Sequence, residues 1–162
     1  MLIDIQRQGI IKRKYEFKLR DELIGTLGYQ RFFSKQAVMQ WGDQSWSACR
    51  KGVFRRKVVM QQTGGEALSF DFSVKMGKMV PVTYQGNQYF FRKNGILNTT
   101  YSWINSADRE LMEFRKLRKR NPEIIVSLSF QDDPHMMWLA FLGWFFIICT
   151  KEDQAAAVAA AG

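Results

Sequence analysis

The sequence predicts an all-β domain: an antiparallel barrel of about twelve strands closed around a buried hydrophobic C-terminal helix. Between Tyr15 and Phe130, apolar and polar residues alternate in short runs separated by turn residues, the pattern of half-buried antiparallel strands. From Met136 to Thr150 no charged residue occurs, and large apolar side chains point all round a helical wheel, so this helix needs apolar surroundings on every side. The length of 162 residues, with 14% aromatics, bounds a single domain over 1–162 that buries about 70% of its unfolded surface.

A short first strand is expected at Leu2 to Ile5. In "YEFKL", Tyr15, Phe17 and Leu19 share one face while Glu16 and Lys18 share the other. "ELIGTLGYQ", "KQAVMQW", "QSWSACR", "RKVVMQQ" and "EALSFDF" continue in the same style; "MVPVTY", "QYFFRK", "TTYSWI", "ELMEFRK" and "EIIVSLSF" complete the count, filling about 2–130 with strands. "WGDQSW" and "YQGNQYF" place Gly before Asp or Asn, which predicts type II′ hairpins with Gly at the first central position. "QTGGEA" and "NSADRE" read as longer turns. Residues 42–54 and 86–97 share a turn, Gln, an aromatic, Arg-Lys, Gly and a hydrophobic pair, and read as a duplicated hairpin unit.

Asp133 and Pro134 predict the start of the central helix, by capping and by tolerance of Pro at the first helical position. The helix is expected over about 134–150, followed by an Ala-rich tail over 154–162. Fifteen uncharged residues span roughly 22 Å, short of the ~30 Å hydrocarbon core of a bilayer. A twelve-stranded barrel has a backbone radius of about 12 Å, which holds one helix and a layer of inward side chains. The run is therefore placed inside the barrel, and a tail-anchored membrane protein using residues 136–150 is the alternative.

Aromatic hairpins followed by Asp-Pro, an apolar helix containing "FLGWFFIIC", the charged stop "TKED" and an alanine tail resemble the tubby-like barrel superfamily. That superfamily includes the tubby C-terminal domain, phospholipid scramblases and LURP-one-related proteins, and the likeness is greatest to small bacterial members of unassigned role. The resemblance implies a twelve-stranded barrel wrapped around Pro134 to Thr150. It does not imply calcium-driven lipid movement, because only "QDD" precedes Pro134 and no Cys cluster is present. Tubby domains bind phosphoinositide headgroups through basic residues of the barrel wall, but no single Lys or Arg of this chain aligns with that site.

No "HExxH", paired "CxxC" or phosphate-binding glycine motif occurs, so no metal, no cofactor and no catalytic residue is expected, and the reading is non-enzymatic. The single histidine, His135, is expected as a partly exposed residue of the first helical turn. Cys49 and Cys149 imply no disulfide framework.

The net charge of +9 favours anionic partners. "RKLRKR" supplies Arg115, Lys116, Arg118, Lys119 and Arg120, and "RKGVFRRK" supplies Arg55, Arg56 and Lys57; together they are the candidate lipid- or anion-binding residues, with Phe54 and Leu117 as apolar companions. Solvated loops that protect sheet edges are the plain alternative. The expected function is a non-catalytic barrel contacting anionic membrane lipid headgroups, cytoplasmic and peripheral at the inner membrane face, since the N-terminus lacks the apolar core of a signal peptide. Single-stranded nucleic-acid binding is the competing reading: "QYFFRK" offers Tyr89, Phe90 and Phe91 as stacking rings, although no RNP-type motif is present.

Overall fold

The computed structural model describes residues 1–9, 13–29, 35–52, 56–72, 78–95, 99–116 and 121–162. Twelve strands run in chain order: β1 (Leu2–Gln8), β2 (Lys14–Leu19), β3 (Glu22–Tyr29), β4 (Gln36–Trp41), β5 (Gln44–Lys51), β6 (Lys57–Gln62), β7 (Ala67–Asp71), β8 (Met79–Tyr84), β9 (Asn87–Asn94), β10 (Thr100–Asn105), β11 (Glu110–Lys116) and β12 (Pro122–Val126). One helix, α1 (Met136–Ala161), follows. Each strand pairs antiparallel with its neighbours in the chain except across β7 and β8, and β1 pairs with β12 as well as β2, Ile3 opposite Ile124. The sheet thus curls into a nearly closed barrel whose seam lies between β7 and β8, which approach each other with no ladder among the described residues.

Alternation sorts the side chains as expected: Ile3, Ile5, Phe17, Leu27, Met39, Val58, Met60, Phe91, Trp103, Phe114 and Ile124 are all buried on the inner face. The axis is filled by α1, in which every residue from Trp138 to Thr150 is buried. Trp138 stacks on Tyr84 at 4.0 Å between centroids, Phe141 on Trp41 at 5.0 Å, and Phe146 meets Phe91 at 5.3 Å. The Trp103 indole donates to the Leu139 carbonyl at 2.9 Å, tying β10 to the helix. Two glycines permit the closest approaches: a Cβ on Gly143 would lie 2.5 Å from the Phe114 ring, and one on Gly25 would lie 2.7 Å from Phe141 and from the Gln40 carbonyl.

The helix boundaries differ from expectation at both ends. Asp133 does not cap the helix as expected: its carboxylate accepts the His135 backbone N–H at 2.8 Å in the turn before it, Met136 N–H meets the Asp133 carbonyl, and regular helix begins at Met136 with His135 as an N-cap that makes no side-chain capping bond. At the far end the helix runs through the alanine segment to Ala161, since Ala has the highest helix propensity and nothing there breaks it. β12 is shorter than "EIIVSLSF": the chain leaves the wall after Val126 and turns toward the axis, burying Phe130 against Tyr89.

The two short hairpins also differ from each other. Gly42 has φ +52 and Asp43 is not left-handed, as the first-position Gly of a II′ turn requires. In the second, Tyr84 pairs with Asn87, so Gln85 and Gly86 form the loop, both at positive φ, which is a I′ pattern. The shared glycines of 42–54 and 86–97 therefore occupy different turn positions. Trp46 faces inward while its counterpart Phe90 does not, and the likeness is not a duplicated hairpin in three dimensions.

Candidate anion-binding mouth

Because consecutive strands are antiparallel, the connections β1–β2, β3–β4, β5–β6, β7–β8, β9–β10 and β11–β12 all fall at one end of the barrel. Strand termini and described flanking residues there carry Arg13, Lys14, Lys35, Lys51, Arg56, Lys57, Lys78 and Lys116 against the single carboxylate Asp71. The opposite end, counted the same way, carries Asp21, Glu22, Asp43, Glu66, Asp108, Glu110, Asp132 and Asp133 against Arg20 and Arg109. Charge is therefore segregated along the barrel axis. The stretches 10–12, 30–34, 53–55, 73–77, 96–98 and 117–120 lie outside the described residues; in sequence they hold seven Lys or Arg and no Asp or Glu.

The basic end is also cationic on its inner side. Period-2 alternation brings Arg7 after Ile3 and Ile5, Arg50 after Trp46 and Ala48, Lys93 after Tyr89 and Phe91, and Lys116 after Met112 and Phe114. Four inward rows thus end in a base at the mouth, where α1 leaves the barrel. The sequence reading missed Arg7 and took in Arg50 and Lys93 only as ends of "RKGVFRRK" and "QYFFRK", although the signal for all three was present: an apolar, apolar, basic series at alternate positions of one strand.

Where α1 emerges, its carboxylates neutralise one side of this ring. Glu152 pairs with Arg13, and Asp153 accepts both guanidinium nitrogens of Arg50 at 2.6 and 3.0 Å. Arg13 lies over the Tyr29 ring and Arg50 over Phe72, each 5.0 Å from the centroid. On the other side Lys151, although largely exposed, holds its ammonium 5.4 Å above the Trp144 ring. Burial, and secondarily the charge of Lys116, pull the Lys151 pKa below its ordinary value.

Two adjoining cavities open here, of about 650 and 170 Å³, and share Lys116, Trp144 and Lys151. Arg7, Tyr15 and Ile148 line the larger, and Lys93, Tyr101 and Ile147 the smaller. The Cys149 thiol nearby is pushed well above its usual pKa by burial, so it stays protonated and packs as a small apolar group.

Among the described residues, those singled out from sequence do not all face the same way. Lys116 faces the mouth, whereas Arg115 points outward, exposed, with its guanidinium on Glu113 at 2.5 and 2.8 Å. Arg56 precedes β6, and its carbonyl accepts the Phe72 N–H. Lys57 opens β6 between Lys51 and Asp71 on the flanking strands. Arg55, Arg118, Lys119 and Arg120, with Phe54 and Leu117, lie outside the described residues. Of the stacking candidates, Tyr89 and Phe91 are buried in the core, and Phe90 is half-buried on the outer face.

His135 sits at the acidic end and is buried rather than partly exposed. Its Nε2 donates to Gln85 Oε1 at 2.9 Å, and Nδ1 accepts from the Tyr89 hydroxyl at 2.7 Å, so both ring nitrogens are engaged within the protein. Burial, with a contribution from Asp133, pushes the Tyr89 pKa up to about 12, which keeps that hydroxyl a donor. Among the described residues, no three His, Cys, Asp or Glu side chains are grouped to hold a metal ion, and no helix is long and apolar enough to cross a membrane. Comparison with known proteins adds no further constraint: no protein-family model, curated protein or solved structure matches the chain.

Proposed function

We propose that the protein is a non-catalytic barrel that docks end-on against an anionic membrane surface, its basic end toward acidic lipid headgroups. The observation that supports this is the segregation of charge, with bases gathered at one end of the barrel and carboxylates at the other. Lys51 lies directly opposite Lys57 in the β5–β6 ladder, an arrangement that costs stability in the free protein and is relieved by an anion in front of it. Each base near an acidic bilayer contributes about 1 kcal/mol, so Lys35, Lys51, Lys57 and Lys78 together supply about 4 kcal/mol, enough for reversible attachment. The kinship to tubby-like barrels belongs to this proposal, and rests on twelve strands around a hydrophobic helix.

The test is co-sedimentation with vesicles of phosphatidylglycerol and phosphatidylcholine at physiological salt, beside a titration with single-stranded oligonucleotide. Neutralising Lys35, Lys51, Lys57 and Lys78 to Gln should weaken vesicle binding by about a thousandfold without lowering the melting temperature, because all four are exposed and the Lys51–Lys57 repulsion is removed. Tighter binding to the oligonucleotide than to vesicles would replace lipid with nucleic acid as the partner, and binding to neither would reduce the bases to solvated loop ends.

A further inference from the structure

The carboxylates of α1 neutralise only one side of the mouth. Arg13 and Arg50 are engaged by Glu152 and Asp153, whereas Arg7, Lys93, Lys116 and Lys151 have no carboxylate within ion-pair distance among the described residues. These four line the two cavities that meet at Lys116 and Lys151, the larger of which is also lined by the Arg13–Glu152 pair, and no rim lysine of the docking surface (Lys35, Lys51, Lys57, Lys78) lines either. Below the bases the walls are apolar: Trp144 and Ile148 from the helix, Ile5 from β1, and Phe114 from β11. Inward-facing bases above an apolar wall suit neither a free inorganic anion, which makes no use of the wall, nor a neutral lipid, which makes none of the bases. The volume of about 650 Å³ falls within the ~300–1,000 Å³ range of small-molecule sites.

We propose that this mouth is a site for one anionic amphiphile, its phosphate or carboxylate between Lys116 and Lys151 and its hydrocarbon against Trp144 and Ile148. The assignment deepens the surface-docking reading and rests on it: the barrel would face the bilayer with the end that receives a single lipid. An anion between the two lysines relieves their mutual repulsion.

The experiment follows the indole N–H resonances of the full chain by NMR, with Trp144→Phe assigning the Trp144 signal. The probes are oleoyl-lysophosphatidate below its aggregation concentration, oleoyl-lysophosphatidylcholine, and glycerol 3-phosphate. Lysophosphatidate is expected to bind one to one and to shift the Trp144 resonance while leaving Trp41, at the opposite end, unmoved. Lys116→Gln with Lys151→Gln should weaken it at least tenfold, while Lys51→Gln with Lys57→Gln and Lys78→Gln should leave it within twofold. Equal affinity for glycerol 3-phosphate would make the mouth a simple anion site, and equal affinity for lysophosphatidylcholine a merely greasy one; either overturns the proposal. So does lysophosphatidate binding that is indifferent to Lys116 and Lys151. Vesicle binding without lysophosphatidate binding overturns the mouth site and leaves surface docking standing. Lysophosphatidate binding without vesicle binding does the reverse.

Discussion

Gly143 sits where α1 presses on β10 and β11, and the space beside it is already taken. A methyl group there would lie 2.5 Å from Phe114 and 2.6 Å from the Trp103 indole nitrogen, which is itself held by the Leu139 carbonyl. Replacing Gly by Ala inside a helix gains about 1 kcal/mol in propensity, whereas overpacking costs typically ~1–3 kcal/mol. With two ring systems that cannot both retreat, the net loss for Gly143→Ala should be about 2 kcal/mol, read as a lower midpoint in urea denaturation at unchanged slope. A variant as stable as the wild type would mean that the wall gives way to the helix. Other single residues were less legible in the sequence. Arg7 stands alone in its strand, so a search for runs of bases passes over it, while Arg50 and Lys93 each sit beside a second base of opposite phase, and only phase within the strand reveals that the three converge. His135 was misread because its burial depends on Gln85 and Tyr89, some fifty residues away.

Elements were far more legible than residues, because a strand or helix is announced by many side chains together. All twelve strands were foreseen from period-2 alternation, and the helix from its all-round apolarity, whereas their ends rest on one or two bonds each. Turn type is such a local matter. β2 and β3 are joined through Arg20 and Asp21, both at positive φ, 50 and 67, a I′ conformation made without glycine. A non-glycine residue in the left-handed region costs roughly 1 kcal/mol, part of which glycine returns as lost chain entropy. Asp21→Gly should therefore stabilise the barrel by about 0.5 kcal/mol, seen as a small rise in thermal midpoint, and a fall would show that Asp21 contributes more than its backbone geometry. The matching change at Gln85 is not equivalent, because its side chain also holds His135.

At the scale of the molecule, the meander has a consequence that no single strand displays. Bases and carboxylates are scattered along the sequence, and the antiparallel alternation of strand direction sorts them to opposite poles. A barrel with such poles does not meet an acidic membrane at random: approach by the basic end gains about 1 kcal/mol per base near the surface, and approach by the other end sets eight carboxylates against like charge. Screening confines both effects to within ~8 Å at physiological salt, so only the facing pole contributes and orientation is decided there. Hydrogen exchange on the vesicle-bound protein reads this directly. Amides at the ends of β5 and β6 near Lys51 and Lys57 should gain protection on acidic vesicles, while the turns at Arg20–Asp21, Gly42–Asp43 and Gln85–Gly86 should exchange as they do free in solution. Protection at the acidic turns, or spread evenly over both poles, would mean that the barrel lies on its side and that charge segregation does not orient it.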